Sequence, residues 1–207
     1  LPGEGINTEH FSRNGSLLKP ERKEFVFLMA ARLLKSKGVE LYANAASILK
    51  NKNYDVKFAL IGIFEEGHPD AIAKSTLDEW EKEGLIEFYG SANDVRPYLN
   101  EADCFVFPSY YKEGVPRCLM EAASMELPIV TTYNRGCKEV VLNNVNGFLC
   151  KQNDALDLAD KMEKMILLDE KERERMGRNG RLHVSRKFGM EKVKEAYQQT
   201  ISSGFPE

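Results

Sequence analysis

The sequence predicts an α/β fold, a Rossmann-like doubly wound parallel sheet of about six strands with extra C-terminal helices. Three observations carry that expectation. Short apolar runs recur without period-two alternation, as strands buried on both faces of a parallel sheet require. Longer stretches with helical spacing separate them, which gives a βαβ series. From Asp154 onward only helical patterns appear, and no internal repeat or low-complexity tract interrupts the chain.

The elements follow in order. Residues 1–11 hold Gly3, Gly5 and a polar turn closed by Phe11, a linker entering a domain, and residues 12–23 read as loop. The first strand is expected over 24–31, with Arg32-Leu-Leu-Lys-Ser-Lys-Gly38 directly after it and then a helix to about residue 52. A second strand over 56–62 leads through a loop containing His68 to a helix from 70 to about 83, whose Trp80 packs against the sheet. The third strand spans 86–90, and the turn after it opens a short helix ending at Ala102, with Asp94 as a candidate N-cap. The fourth strand, 104–108, delivers Glu113-Gly-Val-Pro-Arg-Cys-Leu-Met-Glu121, a loop that becomes a helix. Pro116 suits the first helical position, where its missing N–H would have had no partner. A fifth strand over 127–132 tolerates Pro128 near its first residue. A short helix over 136–143, an Asn146-Gly147 turn and a sixth strand over 148–150 complete the series. Asp154 caps an amphipathic helix to Leu168, and two more helices cover 173–188 and 191–201, with the charges of Glu170 to Arg175 on a solvated face.

Composition narrows the function classes. With 207 residues, 43% hydrophobic and 29% charged, the chain is an ordinary globular one with material for one sizeable core or two small ones. A net charge of -3 gives no general attraction to nucleic acid, so phosphate binding must be local. Phe25 to Ala31, the longest apolar run, is far too short to span a bilayer, and no signal peptide is visible; the cytoplasm is the default. Cys104, Cys118, Cys137 and Cys150 are dispersed without a C-x2-C pair and read as reduced thiols. The chain begins at Leu1, inside what looks like a motif, and is expected to be a piece of something longer.

Two stretches carry chemistry. Ligands of doubly wound sheets sit beyond the carboxyl ends of strands. There an oxidoreductase would place G-x-G-x-x-G, whereas this chain places Arg32 and Lys37, with Lys35 as an alternative to Lys37, cations suited to phosphate. In the second stretch, the free N–H groups at a helix start form an anion site. Arg117 adds a cation to that positive end, which costs about 0.3 to 1 kcal/mol unless an anion sits there. Gly114 lets the backbone approach a ligand. Glu113 and Glu121 are staggered by about 7 to 8 Å along the axis at 1.5 Å per residue, too far to share a proton or a metal. They suit a long ligand with hydroxyls at both ends and negative charge between. Taken alone, the spacing is also that of two solvated helix-face carboxylates.

A glutamate, seven residues and a second glutamate, with Gly-Val-Pro-Arg inside the interval, resembles the signature of the retaining GT-B glycosyltransferases of family 4. Gly3, Gly5, Asn7 and Phe11 match the segment by which that family's chain crosses between its domains, and the Asn146-Gly147-Phe148 turn also fits. The resemblance implies that Glu113, the candidate catalytic residue, contacts the donor sugar, orienting its hydroxyls and not attacking as a nucleophile. Gly114, Val115 and Pro116 would hold sugar and phosphate, Glu121 the ribose, and Arg32, Lys37 and Arg117 the diphosphate. Val95 would line the base pocket, with a plain core contact as its equal alternative. Glu139 resembles a position close to the donor. Residues 1–23 would then be an interdomain segment and loop, 24–187 the donor-binding domain, and 188–207 a helix returning to an N-terminal acceptor domain.

The function so implied is retaining transfer from a nucleotide diphosphate sugar to a saccharide or lipid-linked acceptor. The Asn-Arg-Gly-Cys-Lys-Glu-Val-Val stretch looks like bacterial capsule, O-antigen and lipid-linked oligosaccharide enzymes, hence a UDP-sugar, with UDP-GalNAc as one candidate. No Asp-x-Asp is present, so no metal and no cofactor are expected. The expected setting is the cytoplasm, with peripheral contact at the inner membrane in the longer protein, and little transfer by these residues alone. Two alternatives stay open: a sugar-nucleotide epimerase on the same architecture, and a non-catalytic nucleotide-binding or interaction domain.

Overall fold

The computed structural model describes residues 5–13, 23–112 and 114–202. Six parallel strands form one sheet in the order β3-β2-β1-β4-β5-β6, where β1 is Phe25–Ala30, β2 Val56–Ile61, β3 Glu87–Phe88, β4 Cys104–Phe107, β5 Ile129–Thr132 and β6 Gly147–Cys150. The expected doubly wound sheet is therefore present, and the winding reverses between β1 and β4. The helices that follow the two strands, α1 (Val39–Lys50) and α4 (Arg117–Ser124), join opposite cores, and ligands of doubly wound sheets sit at such a switch point.

Burial explains the continuous apolar runs. Along β1, Phe25, Phe27 and Met29 enter one core with Tyr42 and Leu49 of α1 (Val39–Lys50) and Leu158 and Met162 of α6 (Ala155–Leu167). Val26 and Leu28 enter the other, with Leu99 of α3 (Arg96–Glu101), Leu119 and Met120 of α4 (Arg117–Ser124) and Val184 of α7 (Glu170–Phe188). A strand facing two cores cannot alternate. Trp80, on α2 (Lys74–Lys82), packs half-buried against the first core. All four cysteines are free, and burial pushes the Cys150 thiol up to about 12.

Several boundaries move for local reasons. α2 starts at Lys74 and not at 70, because Ala71 bridges Leu34 and the Asp70 carboxylate accepts from the Ser36 amide at 2.9 Å. Pro116 is the N-cap of α4 in extended backbone, ψ 123°, so Arg117 and not Pro116 holds the first helical position. Val95 precedes α3 without a side-chain cap of its own, and the Asp94 carboxylate supplies the capping bond as expected, accepting from the Arg96 amide at 3.0 Å. α5 (Arg135–Val140) stops early because the buried Asn146 takes its end: the amide nitrogen donates to the Val140 carbonyl at 2.9 Å and the oxygen accepts from Leu142 N–H at 2.7 Å. α7 begins at Glu170, where Asp169 caps the Glu172 amide at 2.8 Å, and α8 (Met190–Ser202) follows.

Candidate functional site

At the carboxyl end of β1 the chain runs through a 3-10 turn, Lys35–Lys37, into Gly38 and α1. Gly38 has φ 84°, and a Cβ there would lie 2.4 Å from the Pro108 carbonyl oxygen, so the β1 and β4 loops touch backbone to backbone. This contact fixes where the cations go. Lys35 pairs with Glu40 at 3.6 Å, while Lys37 is buried with its Nζ 5.0 Å from the Tyr111 ring centroid and 5.9 Å from that of Phe107. Arg32 is exposed, with Glu65 at 3.5 Å.

The loop after β4 hangs on one atom. The Ser36 carbonyl accepts from the amides of Tyr110 at 3.0 Å and Tyr111 at 3.2 Å and from the Ser109 hydroxyl at 3.3 Å. Hydrogen bonds from the Ser36 side chain and amide draw the Asp70 pKa below the ordinary carboxylate value. β5 secures the other side. Thr131 donates to the Phe107 carbonyl at 2.6 Å, Thr132 to that of Ser109, and the Asn134 amide to that of Tyr111 at 2.7 Å. The polar Thr-Thr-x-Asn at the end of an apolar strand was the available signal for these braces, and sequence reasoning passed over it.

Of the expected site residues, Glu113 and Gly3 lie outside the described residues. Gly114 is exposed and a Cβ there would meet nothing within 4 Å, so the fold itself gives no reason for glycine. Val115 is half-buried against the second core and Pro116 is buried. Arg117 donates from Nε to Glu121 Oε1 at 2.9 Å, so its charge at the positive helix end is offset by a carboxylate one turn on. The Glu121 side chain is only 16% exposed, and burial raises its pKa against the opposing pull of Arg117 and, more weakly, His10.

Val95 packs at the edge of the second core, at the start of α3. Beside it, Arg96 grips Asp94 at 2.8 and 2.9 Å and approaches Nδ1 and the carbonyl of His10 at 3.4 Å each, joining the opening segment to the turn after β3. His10 and Arg96 were not singled out in the sequence; neither stands in a motif, and only folding brings them together. The Arg96 hydrogen bonds lower the Asp94 pKa to about 2.

Gly5 lies against Val193 and Met190, where a Cβ would sit 3.2 and 3.3 Å from them. Its neighbour Ile6 donates to the Phe188 carbonyl at 2.8 Å and accepts from Met190 N–H at 3.1 Å, so the opening segment pairs with the α7–α8 junction. The Glu139 carboxylate is engaged by Lys187 of α7. Among the described residues no group of three or more His, Cys, Asp or Glu is placed to hold a metal ion.

A parallel sheet of this order, with cations and a braced polar loop gathered at its switch point, defines a Rossmann-like domain whose ligand edge suits an anion. Solved structures of like fold are glycosyltransferases of GT-B architecture. HepE of Anabaena, crystallised with UDP, superposes with a TM-score of 0.84 at 22% identity over 97% of this chain and 56% of that one. A glycosyltransferase of Rickettsia africae gives 0.80 at 21% identity over 95% and 55%. The chain belongs to the family described as Glycosyl transferases group 1, which it matches over residues 14–183. It is 28% identical to the capsular polysaccharide biosynthesis glycosyltransferase CapM of Staphylococcus aureus over 96% of its own length and 53% of that protein's. It is 34% identical to the N,N'-diacetylbacillosaminyl-diphospho-undecaprenol alpha-1,3-N-acetylgalactosaminyltransferase of Campylobacter jejuni, over 76% and 39%. The chain thus spans about half the length of CapM or less of such relatives.

Proposed function

We propose that the chain is the donor-binding half of a retaining, family 4 glycosyltransferase that uses a UDP-sugar to build a bacterial surface polysaccharide. The observation that carries this reading is the placing of Arg32 and the buried Lys37 just past β1, at the switch point of the sheet, where the Ser36 carbonyl between them holds the loop that leads from β4 to α4. Names of relatives support the finer part. HepE has been crystallised with UDP-glucose, and the CapM name places that relative in capsule synthesis.

In this reading the bond from the sugar anomeric carbon to the diphosphate oxygen breaks. The acceptor oxygen bonds that carbon on the same face, and the acceptor proton passes to the departing diphosphate oxygen. Negative charge grows on the diphosphate, where Arg32, Lys37 and Arg117 stabilise it. Glu113 and the Gly114 to Pro116 backbone hold the sugar, Glu121 the ribose and Val95 the base. These cations stand where other transferases use a divalent ion, so donor binding needs no metal and survives a chelator. Residues 1–23 and 188–207 join this domain to an acceptor domain, and the whole protein works in the cytoplasm on a saccharide or lipid-linked acceptor. Among the described residues no helix is long and apolar enough to cross a membrane.

Calorimetric titration with UDP, GDP and ADP tests the reading. UDP is expected to bind selectively, and Arg32→Ala and Glu121→Ala each to weaken it. Equal binding of all three would remove the UDP assignment, and binding of none would favour an interaction domain.

A further inference from the structure

Helix α7 carries a stripe that neither the cores nor the donor residues use. Lys171, Arg175, Arg178, Leu182 and Arg186 follow one another at i, i+4, i+7, i+11 and i+15, which is one face of the helix, and all five are exposed. At 1.5 Å per residue the stripe runs for about 22 Å. Glu174 pairs with Arg178 at 3.3 Å, whereas among the described residues no ion pair engages Lys171, Arg175 or Arg186. Glu170 and Glu172, the other acids of the helix, fall off this face by spacing.

Aliphatic side chains border the far end of the stripe. Leu142 and Val145, on the turn after α5, are 40% and 46% exposed, and they line a shallow groove with Asn179, Leu182 and His183. Their backbone is held at both ends: the Leu142 amide donates to Asn146, and the Val145 carbonyl accepts from the Asn179 side-chain amide at 3.0 Å. A slack turn is therefore not the reason for their exposure. The acid at this end, Glu139, is more than matched. Lys187 first, with Arg135 behind it, holds its carboxyl below the ordinary range.

We propose that this face, the α7 stripe together with Leu142 and Val145, is a docking surface for an anionic bilayer. The inference goes beyond the donor reading and does not depend on it. A row of cations beside exposed aliphatic groups suits the two layers of a membrane interface: guanidinium and ammonium meet headgroup phosphates, and Leu142, Val145 and Leu182 reach the acyl boundary. The whole chain carries a net charge of -3, so the positive face reflects segregation of charge, which orients the domain at a negative surface. A second copy is disfavoured, because a two-fold contact through this face sets one row of cations against the other. Nucleic acid would meet the cations and leave the aliphatic groups in water. The surface takes headgroups and not the acceptor, which stays with the separate acceptor domain.

The test is flotation of the 207-residue chain with vesicles of phosphatidylcholine alone and of phosphatidylcholine mixed with phosphatidylglycerol, without nucleotide and at low and high salt. Binding is expected to the anionic vesicles only, and to fall as salt rises. Arg175→Gln with Arg186→Gln should weaken it about ten- to thirtyfold, the worth of two cations near a charged membrane. Leu142→Ser with Leu182→Ser should weaken it about tenfold, through lost apolar burial. Both double variants alter exposed side chains, so melting temperature and UDP affinity should match the wild type. Equal flotation with neutral vesicles, no flotation with anionic ones, or undiminished flotation of either variant overturns the proposal. An oligonucleotide bound as tightly as the anionic vesicles and insensitive to the leucine changes assigns the stripe to nucleic acid instead. Self-association that the leucine changes abolish assigns the face to a second copy. Failure of UDP to bind is a separate result that removes the donor reading and leaves the vesicle result intact.

Discussion

Glu121 lies mostly buried on α4 with Arg117 one turn before it, and burial outweighs that cation, so its carboxyl titrates above the ordinary range. Its folded pKa exceeds the unfolded one, so the native state binds the proton more tightly. Ionising Glu121 therefore lowers stability as pH rises from the ordinary carboxylate value through the raised one. Glu121→Gln should raise the melting temperature at neutral pH, measured by calorimetry. The same variant should weaken UDP by about ten- to a hundredfold, the worth of hydrogen bonds to a charged group. Wild-type affinity for UDP should fall on acidification through the raised value, and an affinity flat across that window would remove Glu121 from the site. The sequence placed Glu121 inside a helix, and it stands on α4, while Glu113 lies outside the described residues. The Arg117–Glu121 pair was not foreseen, since a charge at a helix start says nothing about which way its side chain turns.

Among the elements, α7 is the one whose reading changed most. Its charges from Glu170 to Arg175 stand exposed or half-buried, as expected, but further along Arg181 donates to the carbonyls of Thr8 and Phe11 at 2.9 Å each and to that of Ser124. It thus joins the opening segment to the end of α4. Arg181→Ala should cost about 3 kcal/mol through carbonyls left without donors, or about 6 to 12 °C in melting temperature for a domain of this size. Gly177 meets the turn after α4 more closely still, and a Cβ there would lie 2.0 Å from the Glu126 carbonyl oxygen. Gly177→Ala should cost more than about 2 kcal/mol by overpacking, checked by urea unfolding. Periodicity placed these helices because burial leaves an apolar stripe. It could not show that an arginine on the polar side spans two other elements, because that contact depends on residues 170 and more positions away in the chain. The α7 start at Glu170 was missed by the expected 173, although Asp169 and Glu172 offered an Asp-x-x-Glu cap of the usual kind.

At the scale of the whole molecule, continuous apolar strands announced a parallel sheet, but not the order of its strands. Order depends on which connections cross, and no local pattern records that. The switch point between β1 and β4 follows only from the assembled sheet, and it is what brings Arg32 and Lys37 beside a loop some seventy positions later. If those cations replace a metal, UDP affinity should be unchanged by EDTA and should fall steeply with salt, as screening of diphosphate contacts requires. A chelator-sensitive affinity would send the search for a cation site to residues outside those described. The domain assignment predicts that this chain binds nucleotide yet turns over little donor, which a radiolabelled transfer assay would check.

The Ser36 carbonyl, with its three donors, has a kinetic consequence. Amide protons exchange with solvent only when their bonds open, and the Tyr110 and Tyr111 amides share the Ser36 carbonyl, to which the Ser109 hydroxyl, the second acceptor of Tyr111 at 3.3 Å, is itself bonded. They should therefore exchange as a pair, with common protection, and deuteration should proceed in step and not residue by residue. Because Ser36 lies between Lys35 and Lys37, each such opening should also displace the turn that carries Lys37, the cation proposed to meet the donor. Loop breathing and cation placement would then be a single event, and a bound nucleotide should slow both amides by the same factor.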